Sequence, residues 1–379
     1  MDVPKLYVSP EAHSFESKHK LDAWLRGVDD ATLVRPPASK EEVLLGDDGR
    51  TVEGSYRYTI NSFDAVCRYL APGLSALVPN LSGETQRSRR KAEFQSFDDA
   101  LVVFNTVASV RFEAEVAQSQ FVFNEREKII EGVLGPKTKY LDNSLFFQLV
   151  DDTIVSTFGN EVDFYGAYLA GRRMLLRYAR KDPLATVGPK HDRTDVIHRG
   201  YHFSNSESGD ASVRAAPLYV NKEDGSACLG SFSKSKTRMI HAGREFRARL
   251  NNLLSAAVAA DNDDDAVKRG LTLCQGTSLS LPSTSHVDFD GKVEGLVEIV
   301  SKYGTITNSL AQNIVALAVY TGAFPSDDAQ YKSIRDSHIT QRDEYDVYKS
   351  ITKVAKTLPI KQRESIEQAA FEYLLDDNR

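Results

Sequence analysis

The chain has 379 residues, 41% hydrophobic and 26% charged, which gives enough apolar material for one large core or two smaller ones and excludes wholesale disorder. A formal net charge of −6 and a pI near 5.8 exclude adhesion to nucleic acid through the overall field, so binding of that kind needs a local basic surface. Cys67, Cys228 and Cys274 form no CxxC pair and read as reduced thiols of a cytoplasmic protein, while no leader and no apolar run near the roughly 20 residues that span a bilayer is found.

Along the chain, residues 1–54 read as a peripheral segment, with a short helix over "SKHKLDAWLRGV", a Pro36-Pro37 corner and the turn "GDDGR". Phe63, Val66, Cys67 and Leu70 recur at i, i+3, i+4 and i+7, which predicts an amphipathic helix capped by Asn61 or Ser62 and stopped by Pro72-Gly73. The basic "RSRRK" at 87–91 precedes a helical run, "DDALVVFNTVASVRFEAEV". The period then changes. "EKIIEGVL" (127–134) reads as a strand, and an Asp142/Asn143 cap opens a helix burying Leu145, Phe146 and Leu149.

"GRRMLLRYARK" (171–181) alternates as a strand, with Arg173, Leu175 and Arg177 on one face and Met174, Leu176 and Tyr178 on the other. A loop, "DPLATVGPKHDRTD", leads into a hairpin over 198–220 whose corner is 204–210. "TRMIHAGREFRARLNNLLSAAVAA" reads as a strand end followed by a long helix. The acidic stretch from Asp261 opens a polar linker over 261–290, and 291–379 is helical, most clearly in "KVEGLVEIVSKYG", "SLAQNIVALAVYTG" and "ESIEQAAFEYLL". The expected fold is α+β: a core over 55–260 with a central mixed, largely antiparallel sheet, flanking helices and a helical C-terminal region.

Several of these segments together resemble the phage/plasmid-like protein family, a domain of unknown function carried on prophages, plasmids and bacteriophages. The similarity lies in "SFDAVCRYLAPGLSAL", in "IIEGVLGPKTKYLDNSLFFQLVDD", in "HFSNSESGDASVRAAPLYV" and in "TRMIHAGREFRARL", together covering about 55–255. The family's Cys-Asn-Gly element is replaced here by "VNKEDGSACLG", so Cys228 is a poor equivalent. The resemblance implies a mobile-element setting and supplies no mechanism.

Enzyme signatures are lacking: there is no P-loop, no GxGxxG, no HExxH and no GxSxG. A metal-dependent nuclease ranks third among the readings, because no carboxylate spacing singles out a pair. The Asp261, Asp263 and Asp265 run fails as a calcium loop, with Ala266 where glycine is required and Thr272 where a bidentate glutamate belongs. His198 and His202, four apart on a strand, lie ~13 Å apart along it, too far to share one zinc. No cofactor and no metal is expected.

The corner "NSESG" admits two readings. Asn205, Ser206 and Ser208 suit local backbone hydrogen bonds, Gly209 suits a reversal, and Glu207 suits a surface pair with Arg214; or the corner rims a binding surface. The uneven charge admits two as well. Arg172, Arg173, Arg177, Arg180 and Lys181 stand without an acid in one stretch, and Lys234, Lys236, Arg238, Arg244 and Arg247 crowd another. These are either solvated faces or, with Arg214 and the stacking rings of Tyr201 and Phe203, one groove for single-stranded DNA. The groove reading, which ranks first, gives a DNA-associated protein of a mobile element that binds single strands and assists annealing or recombination. The other gives a self-assembling or partner-binding protein, and a homo-oligomer is expected in either case.

Overall fold

Side chains alternate across a strand, so a segment with two unlike apolar and polar rows needs a different cover on each face. The computed structural model describes residues 7–8, 12–70, 97–190, 193–208, 211–223, 225, 227–230, 238–239, 246–259, 264–276, 278–279 and 360–375, with single positions between 342 and 356. The expectations for Pro72-Gly73, 87–91, Gly209, Lys234, Lys236, Arg244 and most of 291–359 lie outside the described residues.

In chain order come strands β1 (Tyr7–Val8) and β2 (Ala12–Phe15), helix α1 (Lys18–Asp29), strands β3 (Thr32–Arg35) and β4 (Arg57–Thr59), and helix α2 (Ile60–Leu70). Helix α3 (Phe97–Arg111) runs into a π-turn at Phe112–Val116, followed by β5 (Gln120–Asn124), β6 (Ile129–Leu134) and α4 (Asn143–Phe158). Next are β7 (Val162–Ala170), β8 (Arg173–Lys190), β9 (Arg193–Ser206), β10 (Val213–Asn221), β11 (Ala227–Leu229) and β12 (Arg238–Met239). Helices α5 (Phe246–Ala259) and α6 (Asp264–Gly276), the short pair β13 (Ser278–Leu279) and β14 (Arg342–Asp343), and helix α7 (Ile360–Leu375) complete the described elements.

The fold is α+β. A large sheet has the order β11-β10-β9-β8-β7-β2, with β12 also paired to β10, and every pairing in it is antiparallel. A smaller mixed sheet has the order β1-β4-β6-β5-β3 and contains the parallel pairs β1–β4 and β4–β6. The small sheet packs on α2 and α3 through Tyr58, Phe63, Phe104, Phe121 and Phe123. One face of the large sheet packs on α1, α4 and α5 through Tyr178, Tyr201, Phe203, Leu21, Phe146 and Leu254. The two sheets meet at the β9–β10 corner. There Gly132 of β6 has no room for a side chain, because a Cβ would lie 2.7 Å from the Ser208 backbone.

Several expectations are revised. Residues 1–54, read as peripheral, supply β1 and β3 to the small sheet, β2 to the large one, and the buried Leu21 and Leu25 of α1. Thr59 rather than Asn61 or Ser62 caps α2, its Oγ1 accepting the Ser62 N–H at 3.2 Å. Asp142 caps α4 as expected, by accepting the Leu145 N–H, but Leu145 and Leu149 are only half-buried beside the fully buried Phe146. The loop read at 182–195 instead extends β8 and β9, which stay paired out to Lys190 and Arg193. The register shifts around Pro183 and before Lys190, so irregularities absorb the prolines. Within the acidic linker, α6 begins at Asp264 with two aspartates in its first turn, where the helix dipole favours them, and buries Val267 and Leu271.

Candidate functional site

Of the side chains expected to form a basic, aromatic groove, Arg173 and Arg177 lie on one face of the large sheet and Tyr201 and Phe203 on the other. Tyr178 stands opposite Tyr201, Leu176 opposite Phe203 and Arg177 opposite His202. Tyr201 and Phe203 are therefore thrown to the same side as Leu176 and Tyr178, and both are 1% exposed. Phe158 of α4 stacks on Tyr201 at 5.1 Å, and Tyr178 meets Phe203 edge-on at 6.3 Å. This corrects the stacking-platform assignment. The two rings are core, because α1, α4 and α5 cover that face.

The other face carries Arg173, Arg177 and His202, and α7 covers it. Glu364 forms an ion pair with Arg173 and accepts from His202 Nε2 at 2.9 Å; Glu367 pairs with Arg177 and accepts from Arg363 Nε at 3.0 Å. Arg177 and both carboxylates are almost wholly buried, and Arg173 is 8% exposed. The Arg363 and Arg177 guanidinium groups also lie over the Tyr168 ring, at 4.0 and 5.7 Å.

Burial by itself would raise the Glu364 carboxyl, but the His202 hydrogen bond and Arg173 outweigh it and bring it to about 2. Burial likewise opposes the Glu367 charge, and Arg177 and Arg363 overcome it, lowering that carboxyl too. Burial lowers His202, against the opposing pull of the hydrogen bond to Glu364. The basic strand face exists, then, and its counter-charges come from the chain's own last described helix.

Arg172 is drawn inward as well. It occupies the two-residue loop between β7 and β8, where Gly171 takes φ 56° as such a tight turn requires. From there its guanidinium reaches Glu131 of β6, Glu207 of the corner at 2.8 Å, and Thr32 Oγ1 of β3 at 2.8 Å. Glu207 thus pairs with Arg172, and not across the hairpin with Arg214 as the sequence suggested. The Asn143 N–H also donates to Glu207. Asn205 Nδ2 donates to the Leu141 carbonyl at 3.0 Å and to Asn143 Oδ1 at 2.9 Å, and Ser206 and Ser208 bond each other at 2.9 Å. The described part of the corner is a buried joint between the sheets.

Arg172, Arg173 and Arg177 are accordingly not available to phosphates in this conformation. Arg180 is half-buried with its guanidinium 5.1 Å over Phe158, and Lys181 is exposed, 3.5 Å from Asp163. Arg214 is half-buried on β10, opposite Ser204 on one side and Arg238 on the other. Arg238 and Arg247 are placed by backbone only, on β12 and α5. The sequence reading missed Glu131, Glu364 and Glu367. Glu364 and Glu367 did leave a signal: acids three apart, beside Arg363, in a helix whose other buried positions are Ile360, Ile366, Ala369, Ala370 and Phe371.

Glu207, 2% exposed, is enclosed beside Arg172. Burial pushes Glu207 up to about 7, against the favourable pull of Arg172 and the Asn143 N–H. A carboxyl with a folded-state pKa above its ordinary 4.5 keeps its proton while the unfolded chain loses it. Its contribution to stability is therefore full below about pH 4.5, falls as pH rises towards 7, and is level above that. The melting temperature of Glu207→Gln should vary less than that of the parent between pH 5 and 7.5, as read by differential scanning calorimetry. An unchanged pH profile would show that Glu207 is ionised throughout.

No family model, no curated protein and no solved structure matches the chain. Among the described residues no helix is long and apolar enough to cross a membrane.

Proposed function

We propose that the chain is a non-enzymatic protein that works by assembling, as a homo-oligomer or with a protein partner, and not by gripping single-stranded DNA on its sheet. The observation that carries this reading is the closure of Arg172, Arg173 and Arg177 on the buried carboxylates Glu131, Glu207, Glu364 and Glu367. A groove for a polyanion needs accessible cations, and the three arginines at the centre of the expected groove are buried and already paired with carboxylates. The strand extension from Lys181 to Lys190 also supports the reading. Past the Lys181 N–H, which reaches the Glu161 carbonyl, no strand pairs with the outer edge of β8 among the described residues. An edge with no strand beside it among the described residues is a natural contact for another chain. The mobile-element setting and a place in the host cytoplasm remain part of this proposal, on the strength of the family resemblance and the reduced-thiol composition.

Light scattering coupled to size exclusion, run beside fluorescence anisotropy with a labelled single-stranded oligonucleotide at low salt, separates the two readings. The expected result is a defined oligomer and no oligonucleotide binding. A monomer at every concentration would overturn self-assembly. Binding that falls with salt at a log–log slope near −3.5, as about five neutralised phosphates give on a single strand, would restore the DNA reading.

A further inference from the structure

The seam between the two sheets holds a cleft of about 420 Å³, within the range that small-molecule sites occupy. Helix α1 forms one wall with Trp24 and Gly27, and β2 adds His13, whose ring lies 5.0 Å from that of Trp24. The opposite wall comes from the β5–β6 turn and β6, with Arg126 and Glu131, and the floor is Arg172.

Each of these residues restricts what could enter. Trp24 is half-buried and offers a flat apolar face, which selects a planar ring. Arg172 is consumed by Glu131, Glu207 and Thr32, so it lends no free charge to a guest. Glu131 gives Oε2 to Arg172, while its Oε1 takes no hydrogen bond from the described residues, so a guest has to bring donors to it. Exposed Arg126, which forms no ion pair among the described residues, calls for an acceptor at the rim. Arg126 and Arg172 are balanced in number by Glu127 and Glu131, all four lining the cleft, so nothing in it favours a strongly anionic guest.

Gly27 lines the same cleft. It lies within the last turn of α1, in a helical conformation, where glycine weakens a helix relative to alanine. No packing demands it: a Cβ built there meets nothing within 4 Å. The missing side chain keeps the wall of the cleft open.

We infer that this cleft binds a nucleoside-type ligand, an uncharged planar heteroaromatic base on a sugar with vicinal hydroxyls. The ring lies against Trp24, the hydroxyl pair donates to the Glu131 carboxylate as a diol does to an acidic side chain, and a ring acceptor faces Arg126. This inference is independent of the assembly reading, since the cleft and the outer edge of β8 are different places.

The test uses the full chain and its own fluorescence, because Trp24 is the only tryptophan. Adenosine, guanosine and uridine are titrated with inner-filter correction, and binding is checked by equilibrium dialysis of radiolabelled nucleoside. Saturable quenching is expected, with 2′-deoxyadenosine about tenfold weaker because one hydrogen bond to a charged acceptor is lost. Gly27→Leu fills the cleft from a position with free space, so it should fold, keep or raise its melting temperature, and lose the ligand. Glu131→Gln, still leaving Arg172 paired with Glu207, should weaken binding about tenfold. Absence of binding by every nucleoside in dialysis overturns the inference, as does Gly27→Leu binding as tightly as the parent. Equal binding of phenylalanine or of nucleoside monophosphates overturns the assignment of ligand class.

Discussion

Arg177→Ala should cost about 3–5 kcal/mol of folding stability, because it leaves a carboxylate buried beside only one of its two guanidinium partners. Arg177 and Glu367 are both 0% exposed, and burial, which disfavours the Glu367 charge, is overcome by Arg177 ahead of Arg363. Removing Arg177 takes away the larger compensation and opens a void over Tyr168, which the guanidinium covers. Glu367→Ala should be comparably damaging, since it strands two guanidinium groups, Arg177 and Arg363, in the same layer. A double-mutant cycle on these two positions by urea denaturation should show strong coupling. Lys181→Ala is the control: Lys181 and Asp163 are both about half exposed, and the change should stay within about 0.5 kcal/mol. A stable, fully folded Arg177→Ala protein would mean that α7 does not hold this face.

The second large effect is at the rings. Tyr201→Ala and Phe203→Ala should each cost roughly 3–5 kcal/mol, as large-to-small changes in a packed core do. Together they should abolish cooperative unfolding by circular dichroism. Both rings are buried among Phe158, Tyr178 and the helices packed behind them, so the surroundings cannot collapse to fill the space. Phe203→Leu keeps most of the volume and should cost much less, under about 1.5 kcal/mol. A double alanine variant that stayed folded would return the pair to the surface. These outcomes are opposite to those of a nucleic-acid platform, on which truncation spares stability and removes binding.

The arginines of β8 illustrate how a correct strand assignment can still mislead about function. The alternation of Arg173, Leu175 and Arg177 against Met174, Leu176 and Tyr178 was legible and places the two rows as found. An arginine row reads as solvated because a lone guanidinium is costly to bury. That reasoning fails when counter-charges arrive from elsewhere, and here Glu364 and Glu367 arrive from about 190 residues along the chain. The corner at 204–208 is similar. Its polar side chains suited local backbone bonds, yet Asn205 and Glu207 are spent on α4 and on Arg172, as partners of Asn143 and the guanidinium.

What the sequence determined by itself was local and periodic. Period-two alternation set the central strands and their faces, the i, i+3, i+4 spacing of Phe63, Val66, Cys67 and Leu70 set α2, and Asp142 set the start of α4. The α+β class follows from those elements. Only the tertiary structure decided which face of each strand is dry, because that depends on what packs over it. It set α1, α4 and α5 over the rings and α7 over the arginines, and it left the seam at Trp24 and Gly27 open. Periodicity fixes the direction of a side chain relative to its neighbours; whether that direction leads to water, to a carboxylate or to a cleft is fixed by contacts between residues far apart in the chain.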